Sequence, residues 1–291
     1  LEHFQFPTLS QENIMAYSAE ISRVNPSCFL FLIDQSKSME DPFGGGVGKK
    51  KSDGLADALN RLLQNLVIKC AKGEGINDYY VVGVIGYGAR TGPAFSGPLV
   101  GQHLVPISEV ANSPTRVEER TKKIDDGAGG LIDQTVKFPV WLEPVADSGT
   151  PMAEAFSLAH KVLQGWITAH PESYPPIVIN ITDGEYNVDP TQEATLLTSL
   201  TSTDGNVLLF NCHISGLTSA PVVFPNTDAG LPDEWARKLF ALSSPLPDNI
   251  SASAQAEGYP IGPGARGFAF NADLVELIRF LDIGTRPSNL R

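Results

Sequence analysis

Three short pieces of this 291-residue chain carry side chains suited to holding a hard cation. They are Asp34-Gln35-Ser36-Lys37-Ser38, Ser148-Gly149-Thr150-Pro151 and Thr182-Asp183-Gly184. Together they offer carboxylates at Asp34 and Asp183 and hydroxyls at Ser36, Ser38 and Thr150, with no His or Cys among them. Hard divalent ions prefer oxygen ligands, and Mg2+ or Mn2+ takes about six in octahedral geometry, part of which is usually water. With part of the shell taken by water, the five oxygen-bearing side chains cannot all bind directly, so some would act through water. Each piece alone has an ordinary structural reading. An Asp at a strand end caps a turn, Thr150 before Pro151 makes a good helix start, and Asp183-Gly184 is a favoured turn pair. Convergence of the three is what points to a metal.

The elements that must position them follow from hydrophobic pattern. Residues 28–33 are a continuous apolar run, which suits a central strand buried on both faces, and 177–181, apolar but for Asn180, read as another buried strand. The first stops at Asp34, the second just short of Asp183. Residues 80–85 read as another such strand. Leu55, Leu59, Leu62, Leu63, Leu66 and Val67 mark one face of a long helix. Met152, Ala155, Phe156, Ala159, Leu163 and Trp166 do the same for a helix opened by Thr150-Pro151. Further on come a helix near 190–202, a strand at 207–210, a helix at 233–242, a short strand at 268–270 and a closing helix at 274–281. Strand and helix alternate, so the expected fold is α/β: a doubly wound, mostly parallel central sheet flanked by helices, with one antiparallel edge strand. In such sheets ligands bind beyond the carboxyl ends of the strands, where strand order reverses. Asp34, Ser36, Ser38, Thr150 and Asp183 all fall at that edge.

Other regions are less regular. Ile14, Tyr17, Ile21 and Val24 predict a short amphipathic helix over residues 10–24. The organisation is then a lead-in at 1–26, one main domain at 27–285 and a tail at 286–291. Within the domain, residues 87–149 form a long insertion. It holds a charged helical candidate at 116–123 and an extended segment at 135–145, where Pro139 and Pro144 suit an edge strand. Insertions of this length are often functional, and this one is expected to shape the site's rim and set partner choice. Residues 44–48 read as a solvated loop. They are not a phosphate-binding loop, because Phe43 and Lys50 stand where that pattern needs Gly and Ser or Thr. No Gly-x-Ser-x-Gly elbow is present for a serine hydrolase. The five histidines are scattered. His213 follows a strand and is expected to be structural, while Glu185 and Tyr186 are rim candidates.

Asp34-x-Ser36-x-Ser38, Thr150 and Asp183-Gly184, in this order, resemble the metal-ion-dependent adhesion site (MIDAS) of von Willebrand factor type A (vWA) and integrin I domains. Ser-Gly-Thr-Pro-Met resembles bacterial members. The resemblance covers roughly residues 25–215 and is expected to run on to 285, and it leaves out the 87–149 stretch and the N-terminal helix. It implies a vWA, Rossmann-like fold. It implies Ser36, Ser38 and Thr150 as direct ligands, Asp34 and Asp183 acting mainly through water, and an open position for a partner's Asp or Glu. It implies a metal-dependent adaptor and not an enzyme, with Mg2+ as the default ion and Mn2+ or Ca2+ as alternatives. By family analogy the partner could be an AAA+ ATPase or part of a phosphorylation-linked system. The alternative is a metal-assisted hydrolase on the same fold. A haloacid-dehalogenase-type phosphatase would need a second acid where Ser36 stands.

Composition narrows the classes. With 33 acidic and 21 basic residues the formal charge is −12, which argues against nucleic acid as a partner. No apolar run approaches the ~18–20 residues of a membrane span. Cys28, Cys70 and Cys212 are odd in number, widely spaced and set in apolar context, so buried free thiols in a reducing, cytoplasmic setting are expected.

Overall fold

The computed structural model describes residues 17–43, 48–73, 75–125, 131–214 and 221–285. Its central sheet is built from β1 (Ser27–Asp34), β2 (Tyr80–Tyr87), β3 (Thr91–Pro93), β4 (Val105–Pro106), β5 (Ile177–Thr182), β6 (Leu208–Ile214), β7 (Val222–Val223) and β8 (Phe268–Ala272). The strands lie in the order β7-β8-β6-β5-β1-β2-β3, with β4 also pairing to β2. From β8 through β2 all neighbours are parallel, while β3, β4 and β7 are antiparallel additions at the edges. Taking β3 as the third strand, and leaving aside β4 and the outer β7, the chain visits the sheet in the order 3-2-1-4-5-6. That is a doubly wound α/β order, with its switch point beside β1.

Helices α1 (Lys51–Cys70), α2 (Ile107–Asn112), α3 (Met152–Ala169), α4 (Thr191–Ser199), α5 (Glu234–Leu242), α6 (Asp248–Ala256) and α7 (Leu274–Gly284) cover both faces. Side chains of a strand alternate between faces, and β1 divides accordingly. Phe29, Phe31 and Ile33 join a core with α1, α2, α6 and α7. Cys28, Leu30 and Leu32 join a second core with α3, α4 and α5. Five leucines of α1 are at most 4% exposed. Each contributes roughly 1.5–3 kcal/mol on burial, against about 0–1 for an exposed ion pair. Packing therefore holds α1 on the sheet, and the charges on it are available for other work.

The insertion differs from expectation. Residues 116–123 are not helical. They belong to a strand, Arg116–Asp125, paired along its length with Leu131–Val140 in a two-stranded ladder separate from the main sheet. The edge strand expected at 135–145 is the return arm of this hairpin and ends at Val140; the antiparallel edges of the main sheet are β3, β4 and β7. The charges that suggest helical pairs instead work at the two-residue strand period. Glu118 takes both Arg116 and Arg120, and Arg120 lies 3.6 Å over the Phe138 ring. Glu119 faces Lys137 across the ladder. Of the helix expected over 10–24, residues 10–16 lie outside the described residues, and 17–24 run without a helical turn. In the loop at 44–48 only Gly48 is described. Cys28, Cys70 and Cys212 are buried free thiols. Among the described residues no helix is long and apolar enough to cross a membrane.

Candidate metal centre

Register places the carboxylates. Ile33 of β1 pairs with Ile181 of β5, so Asp34 ends its strand beside Thr182, and Asp183 is the next residue of the neighbouring chain end. Asp34 is 1% exposed. Its Oδ1 accepts the Ser36 N–H at 2.8 Å and its Oδ2 accepts the Thr182 hydroxyl at 2.7 Å. The Thr182 oxygen in turn accepts the Gly184 N–H at 3.1 Å. Gly184 has φ +113°, and a Cβ there would also meet the His213 ring at 3.0 Å. Only glycine suits this turn.

The Ser36 and Ser38 hydroxyl oxygens stand 3.0 Å apart. The loop carrying Thr150 is bonded to theirs by backbone. Ser148 O accepts the Lys37 N–H at 2.8 Å, and Gln35 O accepts the Asp147 N–H at 2.6 Å. Ser148 is left-handed at φ 69°, which is costly for a residue with a Cβ. On its other side, Thr150 exchanges bonds with Asn187: its N–H donates to Asn187 Oδ1 at 3.3 Å and its O accepts the Asn187 N–H at 3.2 Å. All five sequence-predicted residues therefore lie in three loops at one sheet edge, beside the switch point.

The electrostatics are those of two carboxylates held close. Burial pushes the Asp34 carboxyl up to about 6; its bonds to Ser36 and Thr182 counter that, and the Asp183 charge adds to it. Burial, with Asp34 nearby, also holds the Tyr87 phenol well above its ordinary range. The Tyr87 hydroxyl donates to Asn180 Oδ1 at 2.7 Å under the site floor. Lys51, in the first turn of α1, reaches across. Its Nζ lies 3.0 Å from Asp183 Oδ2 and donates to Ser38 O at 3.4 Å. Among the described residues no three His, Cys, Asp or Glu side chains gather. An ion here would be held by two carboxylates and by hydroxyls, a hard-oxygen set that fits Mg2+, Mn2+ or Ca2+ and not Zn2+.

Three contributors were not legible as site residues. Thr182 and Asn187 act by positioning, and Lys51 by charge. Only Thr182 lay inside a recognised motif. His213 has a structural setting: its ring stacks on Phe270 at 4.6 Å, and Nδ1 accepts the Asn271 N–H at 3.2 Å. Burial lowers its pKa. Tyr186 packs edge-on against Trp235 at 4.6 Å, while Glu185 is exposed. A cavity of about 810 Å³ opens among Tyr17, Leu208, Pro245 and Arg266. It lies at the amino ends of the strands, the end opposite to where such sheets bind ligands.

No family model and no curated protein matches this sequence. Solved structures do. The chain is similar to proximal thread matrix protein 1 from the mussel byssus, at 13% identity and TM-score 0.46, over 92% of this chain and 48% of that one. It thus spans about half the length of that protein. It is similar to manganese-loaded TRAP protein of Plasmodium vivax, at 13% identity and TM-score 0.42, covering 90% and 74%. A third is the ArnB paralog VWA2 of Sulfolobus acidocaldarius, at 14% and 0.33, covering 67% and 35%. At such values the fold class rests on the chain's own strand order: a doubly wound α/β protein with a cluster of oxygen-bearing side chains at its switch point.

Proposed function

We propose that this chain is a vWA-type interaction module. In this reading Ser36, Ser38 and Thr150 bind one divalent ion directly, and Asp34 and Asp183 hold it through water. A partner's Asp or Glu takes the open position. The carrying observation is the pair of Ser36 and Ser38 hydroxyls, 3.0 Å apart beside two carboxylates. Adjacent ligands of an octahedral ion at ~2.0–2.1 Å are about 2.9 Å apart, and neighbouring equatorial ligands of a pentagonal-bipyramidal Ca2+ site at about 2.4 Å are about as close. In the ion-free chain the two hydroxyls are a hydrogen-bonded pair, and their spacing suits Mg2+, Mn2+ or Ca2+ without choosing among them. Few charged groups sit on the metal directly, so it keeps its pull on an incoming carboxylate, which gains a charge-assisted bond in a partly dry site. Three buried thiols suit a reducing, cytoplasmic setting. An acidic chain of charge −12 recruits its partner's carboxylate against its own field, so the ion supplies the attraction that the surface does not.

Calorimetry with Mg2+ and Mn2+ tests the site, and immobilised peptides differing only in a central Glu or Gln test the partner chemistry. The expected results are one ion per chain, and retention of the Glu peptide alone, lost in EDTA and in Thr150→Ala. Retention indifferent to EDTA contradicts the reading. Metal-dependent turnover of a generic phosphate ester, lost in Asp34→Ala, would replace it with the hydrolase alternative.

A further inference from the structure

Lys51 stands where neither helix electrostatics nor packing would put it. The first turn of a helix carries the positive end of the macrodipole, which favours anions and disfavours an ammonium. Long lysine side chains also normally keep their heads in water. Yet the Lys51 side chain is 7% exposed, facing an Asp183 side chain that is 8% exposed. The Nζ lies 3.0 Å from Asp183 Oδ2 and 3.4 Å from the carbonyl of Ser38, whose own hydroxyl belongs to the proposed ion site. Within reach at 3.9 Å is a second carboxylate, Asp41, whose side chain is 68% exposed.

We infer that Lys51 is a tethered counter-cation of this site. Its ammonium neutralises Asp183 when no ion is bound, and it gives up Asp183 to the water shell of an entering divalent ion, moving to Asp41 and solvent. Both cations need the charge of the same carboxylate, and their mutual repulsion at this range makes joint occupancy unfavourable. Lys51 thereby sets the ion concentration at which the site fills, and so the concentration at which a partner can be gripped. The short step to Asp41 gives the displaced ammonium a partner at the rim, so exchange requires a side-chain rotation and no refolding of α1. The inference rests on the metal-site reading given above.

The test is Mn2+ titration by calorimetry of the wild-type chain and Lys51→Met, with acetylation of the wild type read by peptide mass spectrometry. Removing the competitor is expected to tighten Mn2+ binding by about tenfold or more, the scale of one charged hydrogen bond. In the wild type, Lys51 is expected to resist acetylation in EDTA and to react at saturating Mn2+, normalised to Lys37, whose side chain is 70% exposed. Mn2+ uptake with equal or weaker affinity in Lys51→Met overturns the role of Lys51 and leaves the site standing. Uptake by neither chain removes the site, and this inference with it. If the variant does not fold, acetylation decides: equal protection with and without Mn2+ overturns the inference.

Discussion

Thr182 shows how a single hydroxyl can hold the site's carboxylate in place. It donates to Asp34 Oδ2 at 2.7 Å and accepts the Gly184 N–H at 3.1 Å, so it ties the end of β1 to the turn carrying Asp183. Thr182→Val keeps the shape and removes both bonds inside a fully buried position. The expected loss is about 1–3 kcal/mol in urea unfolding of the ion-free chain, with Thr182→Ser restoring most of it. Unchanged stability in the Val variant would mean that the Asp34 carboxylate does not depend on this bond. At this scale the sequence marks its oxygen-bearing candidates by short motifs, Asp34, Ser36, Ser38 and Asp183 at or just past strand ends and Thr150 just before the start of α3. It is a poor guide to Lys51, which is 132 residues from Asp183 and meets it only because α1 starts beside the adjacent strand end.

The hairpin Arg116–Asp125/Leu131–Val140 is the element least visible in sequence. Its polar residues lack the apolar alternation that marks a half-buried strand, and its stabilising partners lie across the ladder. It is fastened at its base. Asn60 of α1, 2% exposed, accepts the N–H groups of Trp141 at 2.9 Å and Leu142 at 3.1 Å, and donates to Leu142 O at 3.0 Å. Arg120 adds an ion pair to Asp57 of the same helix at 3.0 Å. The pairs Arg116 with Val140 and Val117 with Pro139 close the ladder near that base. Replacing residues 118–138 with a short turn removes the Arg120–Asp57 pair and the buried Phe138, so it should lower the melting transition modestly while leaving the Asn60 bonds and the ion affinity in place. If the hairpin sets partner choice, the Glu-peptide preference should change. Loss of ion binding together with partner binding would instead make the hairpin part of the ion site. The parallel strands of the main sheet were readable because burial on both faces leaves apolar runs, whereas the two- and three-residue antiparallel edges β3, β4 and β7 were not. α6 was not, because Ile250 and Ala254 are too few to mark a period against its polar residues.

For the molecule as a whole, strand order 3-2-1-4-5-6 puts the carboxyl ends of β1 and β5 side by side, and chain distance then becomes irrelevant to site assembly. Asp34 and Asp183 meet because two parallel strands in register end together. Their shared negative charge is partly met by Lys51 in the ion-free fold, and a divalent ion would meet it more fully. Crystals soaked in Mn2+ and measured for anomalous scattering test this most directly. The account requires one strong peak bounded by the hydroxyls of Ser36, Ser38 and Thr150, with Asp34 and Asp183 in the surrounding shell. A map with no peak there, or with Mn2+ bound only elsewhere on the acidic surface, would contradict it.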